Sequence, residues 1–188
     1  SSLVLIGSMM ISMSMDVVPV QSGVARLGAW GRLELVGPAT AVLKPTMAEE
    51  VELPEQVASD LPAAVLLLNE SLGRLLILPY AGSLVLACDL RTGVPAYPPI
   101  VLHRVSDHGL RMASVRQVHD TGVLHLTESS IAFFNEEGTL AWRDDGNFAG
   151  WAIEGTTSDE VLLLKGDWAG NEDRERRALD DGRRLGLR

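Results

Sequence analysis

A single cysteine, Cys88, in 188 residues excludes an internal disulfide. In Leu84-Val-Leu-Ala-Cys88 it shares a strand face with Leu84 and Leu86, so it reads as an inert core thiol rather than a nucleophile. Basic residues are also few. Sixteen Lys and Arg stand against 25 Asp and Glu, giving a net charge of −9 and a pI near 4.9. Phosphate contacts need clustered Lys and Arg, so nucleic acid and an anionic membrane surface are excluded as partners. Long apolar runs are missing, and no stretch reaches the roughly 20 residues that a membrane helix requires. The Met- and Ser-rich residues 1–15 lack a basic start and a small-residue cleavage site, so they do not read as a signal peptide. They are expected to form a flexible leader or a first strand, with Met15 an alternative start. The expected compartment is cytoplasmic.

What is present fits one folded domain spanning 1–188. Apolar residues at 46% and charged residues at 22% are ordinary globular values, and this length buries a sizeable core. The acidic balance suits a basic protein partner without requiring one.

A turn signal recurs. Asp89-Leu-Arg-Thr-Gly93 returns as Asn135-Glu-Glu-Gly138 and again as Asp180-Asp-Gly182, at intervals of 46 and 45 residues between the Asx positions. Each copy follows an apolar run. Upstream, Gly31-Arg-Leu is repeated as Gly73-Arg-Leu, which extends the pattern to four degenerate units. A unit of that size cannot bury its own apolar face and must stack on neighbours.

The apolar period is two. Leu33 and Leu35, Leu75 and Ile77, and Leu124 and Leu126 lie in runs of four to six residues bounded by Gly, Asp, Asn and Ser. Turn signals are dense, with Asx side chains to cap the backbone and glycine for positive φ. Gly93 and Gly138 are assigned positive φ, and Gly170 a loose tip. The only helix candidate is Pro54-Glu-Gln-Val-Ala-Ser59. Despite its charge, Arg174–Leu179 is placed in a strand by the repeat register. The chain is therefore all-β. Its predicted core comprises Leu66, Leu68, Leu76, Leu86, Cys88, Ile131, Phe133, Leu162 and Leu164.

The second unit, Ala87-Cys-Asp89-Leu-Arg-Thr92-Gly93-Val-Pro-Ala-Tyr97, resembles the Ala-x-Asp-x-x-Thr-Gly-x-x-x-Trp signature of quinoprotein-like (PQQ-type) β-propeller blades. The third, Phe134-Asn135-Glu-Glu-Gly138-Thr-Leu-Ala-Trp142, keeps an Asx, the Gly and the Trp. The fourth, Leu179-Asp180-Asp-Gly182-Arg-Arg-Leu185, keeps the Asp and Gly but has no aromatic. The resemblance implies repeated antiparallel β-meanders in a propeller-like array of up to four blades, the Trp packing between blades. It covers three short windows and implies no cofactor, whose site needs ligands from many blades. A four-bladed ring, a homo-oligomer that completes a larger ring, a β-sandwich and a twisted open sheet remain alternatives.

No residue group amounts to a catalytic or metal site. His103, His108, His119 and His125 are spaced five, eleven and six residues apart, unlike a compact zinc motif, and no cysteine joins them. His125 points opposite Leu124 and Leu126, so it is expected on the solvent side. Glu128-Ser129-Ser130 lacks a nucleophile elbow. The carboxylate pairs Glu49-Glu50, Glu136-Glu137, Asp144-Asp145 and Asp180-Asp181 read as solvated turns rather than a glycosidase pair. Gly166-Asp-Trp-Ala-Gly-Asn-Glu-Asp173 departs from calcium-loop spacing and reads as a hairpin loop. Its Trp168 stands at a polar tip, and with Trp142 and Trp151 it gives the C-terminal half an acidic, aromatic character.

Two functional classes follow. The first is a non-enzymatic protein-interaction module using Asp144, Asp145, Asp167 and Trp168, with immunity- or antitoxin-like sequestration one form of it. The second is a hydrolase with its site in a central channel between blades.

Overall fold

Period-two alternation closed by Asx and glycine turns folds the chain into four antiparallel sheets. The computed structural model describes residues 15–80, 84–102, 114–118, 121–167 and 169–186, of which 56% lie in strands and 8% in helix. Strand β1 (Asp16–Val18) is followed by the first sheet: β2 (Val20–Gln21), β3 (Val24–Arg26), β4 (Gly31–Gly37), β5 (Thr40–Pro45) and β6 (Val51–Glu52). Helix α1 (Glu55–Asp60) comes next where a helix was expected, although Pro54 caps it in an extended conformation rather than lying in its first turn, and it buries Val57 and Ala58. The second sheet holds β7 (Ala64–Asn69), β8 (Arg74–Pro79), β9 (Leu84–Asp89) and β10 (Ile100–Val101), with β1 added antiparallel to β7. The third holds β11 (Ser114–Val118), β12 (Gly122–Leu126), β13 (Ser130–Asn135) and β14 (Leu140–Asp145). The fourth holds β15 (Trp151–Thr156), β16 (Glu160–Gly166), β17 (Glu172–Ala178) and β18 (Arg184–Leu185).

Three apolar clusters join these sheets in chain order. Leu33, Ala41 and Leu43 of the first sheet meet α1 and one face of the second, including Leu66, Leu75, Ile77, Leu86 and Cys88. The opposite face of the second sheet, with Leu67, Leu76 and Leu78, meets Val123, Ala132 and Phe134 of the third. The remaining face of the third, with Leu124, Ile131 and Phe133, meets Ile153, Val161 and Leu163 of the fourth. None of the three clusters joins the fourth sheet to the first.

This order explains which strands alternate and which do not. The second and third sheets are covered on both faces, so β8 and β12 are buried almost throughout. Among the described residues the first and fourth sheets are covered on one face only, and β5 and β16 alternate. Two sequence expectations are corrected here. In β16 the buried residues are Val161 and Leu163, whereas Leu162 and Leu164 are only partly buried on the outer face. His125 does point opposite Leu124 and Leu126, but that face lies against the second sheet rather than solvent, and the ring is fully buried. The other seven predicted core residues are buried.

The recurrent turns are where consecutive sheets interlock. The Asn135–Gly138 turn offers three successive carbonyls to donors of the second unit. Asn69 Nδ2 donates to Glu136 O (2.7 Å), Arg74 Nη1 to Glu137 O (3.3 Å) and Tyr97 Oη to Gly138 O (3.1 Å). At the next junction, Trp142 Nε1 donates to Leu179 O (2.7 Å), and the indole lies against Gly182. Tyr97 and Trp142 each stand four residues after a turn glycine, Gly93 and Gly138, and each reaches the turn of the following unit. In the first unit Val51 takes this part, against Gly93.

Asp89 and Asn135 cap their own turns, accepting from Arg91 N (3.0 Å) and Glu137 N (3.1 Å). The third copy departs from this register. There the Gly182 amide bonds Ala178 O (3.0 Å), and the capping carboxylate is Asp181 rather than Asp180. Gly170, expected in a loose tip, also has positive φ (82°), in a bend capped by Asp167.

Candidate functional site

The fourth sheet carries the exposed acidic turns, each fixed by its own local hydrogen bonds. Asp167 directly follows β16, and its carboxylate accepts from Ala169 N (2.9 Å), Asn171 N (2.8 Å) and Asn171 Nδ2 (2.8 Å). The Asn171 amide, more than any other group, holds this carboxyl below the usual carboxylate range. Asp181 is held low in the same manner, chiefly by the Arg183 backbone amide. Both turns therefore present negative charges in fixed positions at neutral pH.

The expected partner-binding residues occupy different settings. Asp144 and Asp145 end β14 in the third sheet. Asp145 is 65% exposed and pairs with Arg143. Asp144 reaches across to the fourth sheet, where its Oδ2 accepts from Arg177 Nη1 (2.6 Å). Arg177 is 2% exposed, lies over the Phe148 ring at 5.4 Å, and also binds Glu175 and Gly182 O. Asp144 is thus an inter-sheet tie as well as a surface carboxylate. Among the described residues Asp167 bonds only within its own turn, and these carboxylates are not gathered into one constellation. Trp168 lies outside the described residues, as do His103, His108 and His119. Sequence reading missed Arg177. Its signal was parity, because it stands opposite Val161 in the β16–β17 register on the covered face.

Among the described residues, Cys88, His125 and the hydroxyls of Thr127, Ser129 and Ser130 are buried. Burial pushes the Cys88 thiol up to about 12, so it carries no thiolate at neutral pH. His125 Nε2 lies 3.0 Å from Pro79 O. A carbonyl only accepts, so Nε2 bears the proton, and Nδ1 is left without a partner. Thr127 Oγ1 caps the β12–β13 bend, accepting from Ser129 N (3.2 Å) and Ser130 N (3.1 Å), which gives these buried hydroxyls a structural task. Among the described residues no group of three or more His, Cys, Asp or Glu could hold a metal ion.

His125 makes a pH prediction. Burial, reinforced by the charge of Arg143 and opposed by the Pro79 bond, pushes it down to about 4 from 6.5. As pH falls the unfolded chain takes up this proton first, so stability is full above the unfolded value and is lost on the way down to about 4. Between about pH 6.5 and pH 5 the loss is expected to be about 2 kcal/mol. Carboxylates with lowered values, such as Asp89 and Glu34, act only at lower pH. His125→Gln keeps a donor for Pro79 and cannot ionise. Urea unfolding at the two pH values should show the loss shrinking in that variant, and an unchanged loss would assign it to other groups.

One open groove adjoins the acidic turns. It has a volume of about 540 Å³ between the third and fourth sheets. Thr121 and Phe133 line one side; Ser158, Asp159, Glu160, Ala178, Leu179, Asp180, Arg183 and Leu185 line the other. Its lining mixes the apolar Phe133, Ala178, Leu179 and Leu185 with the carboxylates of Asp159, Glu160 and Asp180 and the guanidinium of Arg183. No helix among the described residues is long and apolar enough to cross a membrane. No family model matches this chain, and no curated protein matches it.

Proposed function

We propose that this chain is a non-enzymatic protein-interaction module, a propeller-like stack of β-meanders whose acidic turns bind a protein with a basic surface. The observation that carries this reading is the fixed display of carboxylates on the turns of the fourth sheet. Asp159, Asp167, Asp180 and Asp181 are all exposed, and local hydrogen bonds hold Asp167 and Asp181 in place. Charges already ordered before binding spare the ordering cost on association, and their field speeds encounter with an oppositely charged surface. The enclosure of Cys88 and His125 directs attention from chemistry to this surface.

The test is capture from cell extract on immobilised protein at low and high salt, with Asp159→Asn/Asp167→Asn as the comparison. A discrete basic partner, held at low salt, released at high salt and reduced by the double variant, is the expected result. A partner that is retained at high salt and indifferent to the substitutions would contradict the acidic-turn reading.

A further inference from the structure

Independently of the acidic-turn reading, the geometry points to a second copy of this chain as the occupant of the two uncovered terminal faces. The outer face of the first sheet in one copy stacks on the outer face of the fourth sheet in the other, twice over, and closes a two-fold ring. Within one chain no apolar cluster among the described residues joins these two sheets. Strand pairing shows what each face carries. On the first sheet Val24, Glu34, Val42 and Glu52 form one row, opposite in parity to the buried Ala25, Leu33 and Leu43. Arg26, Arg32 and Lys44 form the next row on the same face. On the fourth sheet Leu162 and Leu164 stand opposite in parity to the buried Val161 and Leu163, paired across to Arg176 and Arg174.

Two observations select a second copy. The first is charge. On the first sheet Glu34 is shared by Arg32 and Lys44, and Glu50 of the following loop reaches Lys44 at 3.7 Å, whereas Arg26 has no ion-pair partner among the described residues. On the fourth sheet Glu154 and Glu172 share Arg174, at 3.9 and 3.0 Å. A cation without a partner on one face thus matches surplus carboxylate on the other, with valines and leucines between them. The second is continuity with the existing junctions. The Asn135–Gly138 turn receives Asn69, Arg74 and Tyr97 of the preceding unit, and Gly182 receives Trp142. The corresponding β5–β6 loop of the first unit has no preceding unit, and its Met47 is 72% exposed. At the other end Leu185, on the last strand of the fourth sheet as Trp142 is on the last strand of the third, has no following turn to meet. A fourth-to-first contact between copies supplies both. Because it joins unlike patches, such a contact either closes or grows without limit. Two copies of four sheets make eight, within the roughly four to eight of closed sheet rings, so closure comes at two.

Size-exclusion chromatography with light scattering tests the ring. The wild-type protein should show twice the chain mass of 20.3 kDa. Val42→Glu and Leu164→Lys should each return the single mass, with urea midpoints close to wild type because both side chains point away from the core. Mixed at high concentration, the two variants should recover the double mass, since the intact fourth sheet of one still meets the intact first sheet of the other. Misfolded chains would not recover it. A wild-type protein at the single mass, a double mass lost in one variant or in neither, a mixture that stays at the single mass, or a wild-type mass that climbs beyond two copies would each overturn the ring.

Discussion

Gly182→Val is expected to destabilise the protein by about 3–4 kcal/mol, read as a shift in the urea unfolding midpoint. Two causes add. Gly182 has φ of +74°, where a Cβ is penalised by about 1–2 kcal/mol and a β-branched residue is a true outlier. That Cβ would also stand 2.5 Å from Trp142 Cε3. The indole cannot swing aside without losing its bond to Leu179 O and its stacking on Phe133 at 6.2 Å. Forcing atoms into a packed contact costs about 1–3 kcal/mol more. Gly138→Val should lose less, because its Cβ meets Arg74 Cγ (2.9 Å) on a flexible side chain. Gly170→Val should lose only the backbone part, since nothing lies within 4 Å of its Cβ. The reverse ranking would contradict the interlock of turn and aromatic.

Phe134→Ala should cost about 3–5 kcal/mol, the range for deleting a buried aromatic whose surroundings close only partly over the void. Phe134 is fully buried between the second and third sheets, with Leu67, Leu76, Leu78 and Val123. Two sheets lose packing at once, so collapse from one side cannot fill the space. Val36→Ala, at a side chain 58% exposed, is the control and should stay within about 0.5 kcal/mol. A loss below about 1 kcal/mol for Phe134→Ala would mean that these sheets do not share this core.

The sequence signals that proved legible were local. Alternation and turn chemistry mark the strands, and Pro54 marks the one α-helix among the described residues. The charge-rich β17 was readable only because the turn register outweighed its helix-like composition. Solvent-side and core-side assignments were legible only where one face of a sheet is covered. Alternation says which residues share a face, but not whether another sheet lies against it. His125 and Leu164 failed for that one reason, in opposite directions: the third sheet has two neighbours, while the fourth is covered on one face. Of the candidate site, the exposed carboxylate of Asp167 was legible as a turn residue, whereas Asp144 and Asp145, expected in a turn, are the last two residues of strand β14. The tie from Asp144 to Arg177 was not legible, because it joins positions 33 residues apart on different sheets. The groove was invisible for the same reason, its two walls belonging to separate units.

The most direct test of the stacked-sheet account is a double-mutant cycle between Trp142 and Gly182. Gly182→Ala is measured by urea unfolding in the wild-type background and again in Trp142→Leu. If the third and fourth sheets meet through this contact, removing the indole relieves the clash, and Gly182→Ala becomes less damaging by about 0.5–3 kcal/mol, with only the positive-φ strain left. Strictly additive losses, with no coupling between the two positions, would contradict the account.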